Sequence, residues 1–145
     1  MVDPRYEIWA KTLVGYSVEV QPGQTVAISG GTAAEPLLRA IYREVLARGG
    51  FPVPLPTVPG LAADLLRKGT DDQLRFISPL ERFVREEADV AITVMAETNT
   101  RTLSQVDPAR QTVFQSARSE LFQTFMRRAA EGTMTWVGTL FPTDA

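Results

Sequence analysis

Residues 51–57 read Phe-Pro-Val-Pro-Leu-Pro-Thr, with proline at every second position of an otherwise apolar run. Three prolines spaced this way exclude a helix, because each lacks the N–H and clashes with the preceding turn. They exclude a central strand as well. Successive strand residues point their N–H groups to opposite edges, so Pro52, Pro54 and Pro56 blank one and the same edge. Phe51, Val53, Leu55 and Thr57 keep their donors on the other edge and share one face. The segment therefore predicts an edge strand, paired on one side and protected on the other. A polyproline-like linker is the alternative; the alternation of apolar residues in register with the prolines favours the strand.

The flanking sequence predicts the layers around it. Asp3-Pro4 sets a capping Asp before a first-turn Pro, and Trp9, Leu13 and Tyr16 then recur on one helical face. Pro22-Gly23 marks a type II turn ahead of a buried strand at 25–29. In the next helix Leu37, Leu38, Ile41, Val45 and Leu46 keep the helical period as far as Gly49. Thr32 and Glu35 fit a capping box for it, although Pro36 argues for a start nearer Pro36 itself. Short helical stretches at 60–69 and 70–78 precede a better-marked one at 78–88, in which Ser78 caps, Pro79 takes the first position and Glu81 completes the box. An apolar strand follows at 90–96. Asp107-Pro108 opens one long helix with Phe114, Leu121, Phe122, Phe125 and Ala129 on its inner face, ended by Gly132, and the stretch from Thr135 supplies a fourth strand. Helices alternating with strands argue for an α/β layered domain: a mostly parallel, roughly four-stranded open sheet flanked by helices, with right-handed crossovers. The arrangement is Rossmann-like without a dinucleotide fingerprint. At 145 residues the chain has the length of a single domain, and it shows no internal repeat or interdomain linker.

Function is constrained mainly by what the composition lacks. There is no His and no Cys, the residues that supply most zinc ligands and the usual bases for activating a nucleophile. A complete hydrolase would have to rest on carboxylates, Lys or Tyr, which argues against one. The net charge of −2 gives no polyanion-binding face, so no nucleic-acid partner is expected. The longest apolar stretch, 90–96, is too short to span a bilayer, and the charged N-terminus is not a signal peptide, so no membrane is expected and the cytoplasm is the expected location.

Two loops are candidate sites. Gly30, Gly31 and Thr32 lie in "SGGTAAE" beyond the first strand, where open α/β sheets bind ligands and a helix N-terminus attracts anions. The motif is neither GxGxxG nor a P-loop, and adjacent glycines equally describe a tight strand-to-helix turn. Glu97, Asn99 and Arg101 follow the third strand on the same side of the sheet, and together the loops would rim a cleft; a solvated loop is the plainer reading. Asp71-Asp72 and Glu86-Glu87-Asp89 lack the spacing of a calcium loop and read as solvated helix surface. Lys11 and Lys68 have no Ser motif near them to make a dyad.

Several segments in order resemble one family. "LVGYSVEVQPGQTVAISGG", "AAEPLLRAIYREVLARGGFPV", "EEADVAITVMAETN", "VDPARQ" and "WVGTLFPT" are similar to successive segments of the N-terminal domain of the thermophilic metallo-aminopeptidases, of the aminopeptidase T and aminopeptidase S type. The resemblance runs nearly end to end. It implies a cytoplasmic exopeptidase that releases N-terminal amino acids from peptide substrates with two divalent metal ions, zinc, cobalt or similar. It also implies that the Glu, His and Asp ligands lie in a larger C-terminal catalytic domain absent from residues 1–145. No catalytic or metal role then falls on a residue of this segment. Gly30, Gly31, Thr32, Glu97, Asn99 and Arg101 become candidates for the substrate-cleft wall, and Trp136, Leu140 and Phe141 for the interdomain contact. Exposed in a fragment, that contact would make a homo-oligomer. The rival expectations are a free-standing α/β ligand-binding or interaction module without enzymatic activity, and a small-nucleotide binder using the Gly loop.

Overall fold

The computed structural model describes residues 3–96 and 106–142. They form a four-stranded sheet of β1 (Thr25–Gly31), β2 (Phe51–Thr57), β3 (Val90–Met95) and β4 (Thr135–Leu140), in the order β2-β1-β3-β4. Each neighbouring pair is parallel, as in the α/β layered fold expected. The proline strand lies at an edge. The Phe51 N–H donates to the Gln24 carbonyl at 2.8 Å, which turns the odd-numbered donors of β2 toward β1. Pro52, Pro54 and Pro56 therefore fall on the outer edge, which offers carbonyls and no donor. At the opposite edge the Thr135 and Phe141 N–H groups donate to Asp89 and Met95 of the β3 side, at 3.1 and 2.8 Å. The N–H groups of Trp136, Gly138 and Leu140 thus point outward from β4.

One face of the sheet carries the main core. Val26 and Ile28 of β1 and Val90, Ile92 and Val94 of β3 pack against α1 (Pro4–Thr12) and α2 (Glu35–Ala47). Asp3 caps α1 by accepting the Arg5 N–H at 2.9 Å. The Arg5 guanidinium, and after it the Arg5 amide, hold the Asp3 carboxyl below the ordinary aspartate value. The end of α1 widens into a π turn, Leu13–Ser17, with the Val18 N–H donating to the Leu13 carbonyl at 3.1 Å. That five-residue step buries Val18 alongside Leu13. It also swings Tyr16, expected on the inner face, out to 80% exposure. Phe141 closes the core from the far end of β4, its ring centroid 5.6 Å from that of Tyr6 and 6.3 Å from that of Trp9.

The start of α2 differs from the capping box expected at Thr32 and Glu35. Thr32–Ala34 forms a 3-10 turn and α2 begins at Glu35 without a side-chain cap. Pro36 then sits in the first turn, where a missing N–H is harmless. Leu37, Ile41 and Val45 are buried as their spacing requires, whereas Leu46, one step off that stripe, is exposed.

The remaining helices are short: α3 (Leu61–Lys68), α4 (Asp71–Arg75), α5 (Pro79–Arg82, continued by a π turn, Phe83–Glu87), α6 (Pro108–Ala117) and α7 (Ser119–Glu131), of which α7 and the π turn pack on Ala91 of the other sheet face. Every helix end leaves its last carbonyls unpaired, and in a helix of four or five residues these are nearly all it has. Three arginines answer such ends. Arg110 of α6 donates to the carbonyls of Leu66, at 2.6 Å, and Gly69 at the end of α3. Arg118 donates to those of Leu74 and Phe76 at the end of α4, both at 2.9 Å. Arg128 of α7 donates to those of Arg85 and Ala88 around the π turn, at 3.2 and 2.9 Å.

Arg118 also breaks the single long helix expected over 107–132. Its backbone turns out of the helix (φ −102°, ψ 1°) between α6 and α7. Its guanidinium lies 3.7 Å from the Phe114 ring centroid and bonds both Glu81 oxygens, at 2.8 and 3.1 Å. Glu81 is thereby diverted from the expected capping box, although Ser78 still accepts the Glu81 N–H at 3.2 Å. The break reorients α7. Leu121 and Phe125 are buried, but Phe122, expected inside, is 54% exposed. Phe125, Ala129 and Met134 cover Ala91, while Met95, Trp136 and Leu140 along the same sheet face stay exposed.

Arg118→Ala is expected to destabilise the chain by about 2–4 kcal/mol, because it leaves two carbonyls and a partly buried carboxylate unanswered. The measurement is the urea midpoint at unchanged m-value. Arg118→Lys, which keeps the charge but loses the fork, should recover at most about half of that loss. Replacing Pro52, Pro54 and Pro56 together by Thr restores three outward donors on β2. Light scattering should then show more concentration-dependent association than the parent chain shows.

Candidate functional site

Beyond the end of β1 the chain passes through Gly30 and Gly31 into the 3-10 turn and α2. Neither glycine has a positive φ, so conformational freedom does not account for them. Space does. A Cβ on Gly30 would meet the Val94 carbonyl oxygen and the Leu38 Cδ2, both at 2.9 Å, and one on Gly31 would meet the Ala96 oxygen at 3.1 Å. The first contact is closer than real Cβ atoms approach. The bare backbone at Gly30 lets Leu38 settle onto the sheet. The glycine pair is thus the tight strand-to-helix turn, serving packing first.

That packing leaves a groove of about 500 Å³ on the β2 side of the loop, within the size range of small-molecule sites. Ile28, Leu38, Pro54 and Pro56 supply apolar walls, with Pro54 directly beside Ile28 in the β1–β2 register. Thr32, Glu35, Arg39, Tyr42 and Arg43 supply its polar atoms. Glu35 and Arg39 pair one helical turn apart at 2.8 Å. Glu44 takes Arg48 in the same way at 3.6 Å, leaving Arg43 as the cation of α2 without a carboxylate among the described residues. The Thr32 hydroxyl and the Tyr42 hydroxyl likewise have no hydrogen-bond partner there.

Of the residues singled out from the sequence, Thr32 lines this groove and Gly30 shapes it, while Gly31 faces Ala96. Glu97, Asn99 and Arg101 lie outside the described residues. Trp136 and Leu140 are exposed, at 51% and 67%, and Phe141 is buried against α1. Sequence reading missed Leu38, Tyr42, Arg43, Pro54 and Pro56. The prolines read only as edge protection, and α2 was followed for its apolar stripe. The available signal was the Glu35-Arg39-Arg43 series at four-residue steps, on a helix that must cross between adjacent parallel strands.

Among the described residues, acidic side chains do not converge into a metal site. Glu86 faces Arg82, and Asp89 accepts from the amide and hydroxyl of Thr25 at 2.9 and 3.1 Å. Among the described residues no three His, Cys, Asp or Glu side chains gather into a candidate centre. No described helix is long and apolar enough to cross a membrane.

These features define an α/β domain with an all-parallel open sheet and a glycine-shaped groove at one strand end. The chain belongs to the thermophilic metalloprotease family (M29), whose model matches residues 2–145. This bears out the family resemblance read from the sequence. The same fold is found in the solved structure of wild-type AmpT from Thermus thermophilus, with a TM-score of 0.73 at 16% identity. The match covers 97% of this chain and 36% of that one. No protein of curated function matches the chain in sequence. A metalloprotease family implies metal ions, and the donor set does not fit them: the sequence has no His or Cys, and among the described residues no three carboxylates gather into a centre.

If close packing is what Gly30 serves, Gly30→Ala should destabilise the chain by about 1–3 kcal/mol, with Gly31→Ala milder. Thermal denaturation of the two variants checks this, and an unchanged midpoint for Gly30→Ala would contradict it.

Proposed function

We propose that residues 1–145 are the non-catalytic N-terminal α/β domain of a cytoplasmic, two-domain, metal-dependent aminopeptidase, an exopeptidase releasing N-terminal amino acids from peptides. The observation that carries this reading is the metalloprotease family match over residues 2–145, in a chain with no His or Cys. The share of AmpT covered, 36%, agrees with one domain of a longer protein. Two divalent ions, zinc, cobalt or similar, are held in this reading by a C-terminal catalytic domain.

The surface best suited to that domain is the uncovered end of the second sheet face. Trp136, packed 6.0 Å from Phe125 between ring centroids, lies there with the register partners Met95 and Leu140, beside the outward donors of β4. An exposed apolar face next to an unpaired strand edge is where a partner layer gains most. In this reading the loop at Gly30, Gly31 and Thr32, with Glu97, Asn99 and Arg101, contributes to the substrate-cleft wall. In isolation, the uncovered face also supports homo-oligomer formation.

A second reading is a free-standing α/β ligand-binding or interaction module without enzymatic activity, favoured by the groove and its unpartnered donors. Joined to its catalytic domain, the protein should release leucine from leucine p-nitroanilide in the presence of cobalt or zinc. Purified residues 1–145 should release none under the same conditions. Activity that follows the 145-residue chain through further purification would overturn the proposal, and a longer protein without metal-dependent activity would favour the module.

A further inference from the structure

The groove between α2 and β2 lies apart from the uncovered sheet face, and its chemistry specifies a ligand. Its walls are apolar, and two of them, Pro54 and Pro56, are rigid and carry no N–H. The outer edge of β2 therefore offers no backbone donor to an incoming molecule, nor can another strand readily close over it. The uncommitted donors are side chains: the Thr32 hydroxyl, the Tyr42 hydroxyl and the guanidinium of Arg43. One carboxylate, Glu35, stands against two guanidiniums, and it is already paired with Arg39 at 2.8 Å. An anionic head is therefore favoured, and the Ile28–Leu38–proline walls reward an apolar body behind it.

We propose that this groove is a binding site for small carboxylates with an aliphatic or aromatic body, the carboxylate meeting Arg43 and the hydroxyls of Thr32 and Tyr42. The body lies against Leu38, Pro54 and Pro56. Leu38 reaches its position only because Gly30 carries no side chain, so the turn that packs α2 onto the sheet also forms the floor of the site. Every residue named for it lies within residues 1–145, so its binding is measured on that chain alone.

The test uses residues 1–145 and three probes: 3-phenylpropionate, the neutral 3-phenyl-1-propanol, and acetate. Amide NMR titration should show 3-phenylpropionate shifting resonances around Thr32, Leu38 and Tyr42, with a Kd of about 1–10 mM for a ligand of this size. The alcohol and acetate should each bind at least about fivefold more weakly, one lacking the charge and the other the body. Arg43→Gln, a substitution on an exposed helix face, should weaken 3-phenylpropionate by about fivefold while leaving the alcohol unchanged. The proposal is overturned if 3-phenylpropionate shifts nothing in the groove. It is equally overturned if the alcohol or acetate binds as tightly, or if Arg43→Gln binds as the parent does.

Discussion

The helical layer on the second sheet face depends on guanidinium groups meeting backbone carbonyls. α4 and α5 have five and four residues, too short to persist alone, because nucleating a helix costs more than one turn returns. Their ends would also leave carbonyls unpaired in a packed layer. Arg118 and Arg128 answer these ends from α7 and its start, and Arg110 of α6 does the same for α3, each reaching across 40 or more residues of chain to a carbonyl. Arg118 is the most engaged, bonding four groups and lying over Phe114 with only 16% of its side chain exposed. The apolar cluster of Leu66, Leu74, Val106 and Phe114 is thereby joined to the helices that cover β3. The first face needs no such device, since its strands and α1 and α2 share one continuous core.

This division explains which parts of the fold were legible in the sequence. Strands and the α2 stripe follow from periodicity, and the place of β2 follows from the chemistry of Pro52, Pro54 and Pro56 alone. The errors share a cause. A period of 3.6 puts Tyr16 inside, and a π turn alters it; a continuous helix puts Phe122 inside, and Arg118 interrupts it. The π turn contains Gly15, a signal that the 3.6 period passes over. The break at Arg118 has no such mark, since no Gly or Pro stands beside it, and it depends on partners distant in sequence. Glu81 fails for the same reason, because its local role as a box residue loses to a guanidinium 37 positions away. The groove is hidden in a related way: periodicity describes α2 and β2 one at a time, and the site exists only where they meet.

The two faces also divide the functional questions. Where the helices and their arginines stop, Met95, Trp136 and Leu140 remain exposed beside a strand edge with free donors, in contrast to the proline-blocked edge across the sheet. One edge is closed to strands and the other is open, so the sheet has a direction in which a further layer is accommodated. The proposed catalytic domain would supply such a layer. The groove sits near the closed edge and does not need it.

The central proposal is that the metal ions of the proposed aminopeptidase are held outside residues 1–145. Metal content after equilibrium dialysis of the purified chain against micromolar zinc or cobalt tests it most directly, because a real centre holds its ion through dialysis and a scatter of surface carboxylates does not. The account predicts well below about 0.1 ion per chain. A stoichiometry near one or two ions, lost on adding a chelator and restored by the metal, would contradict it.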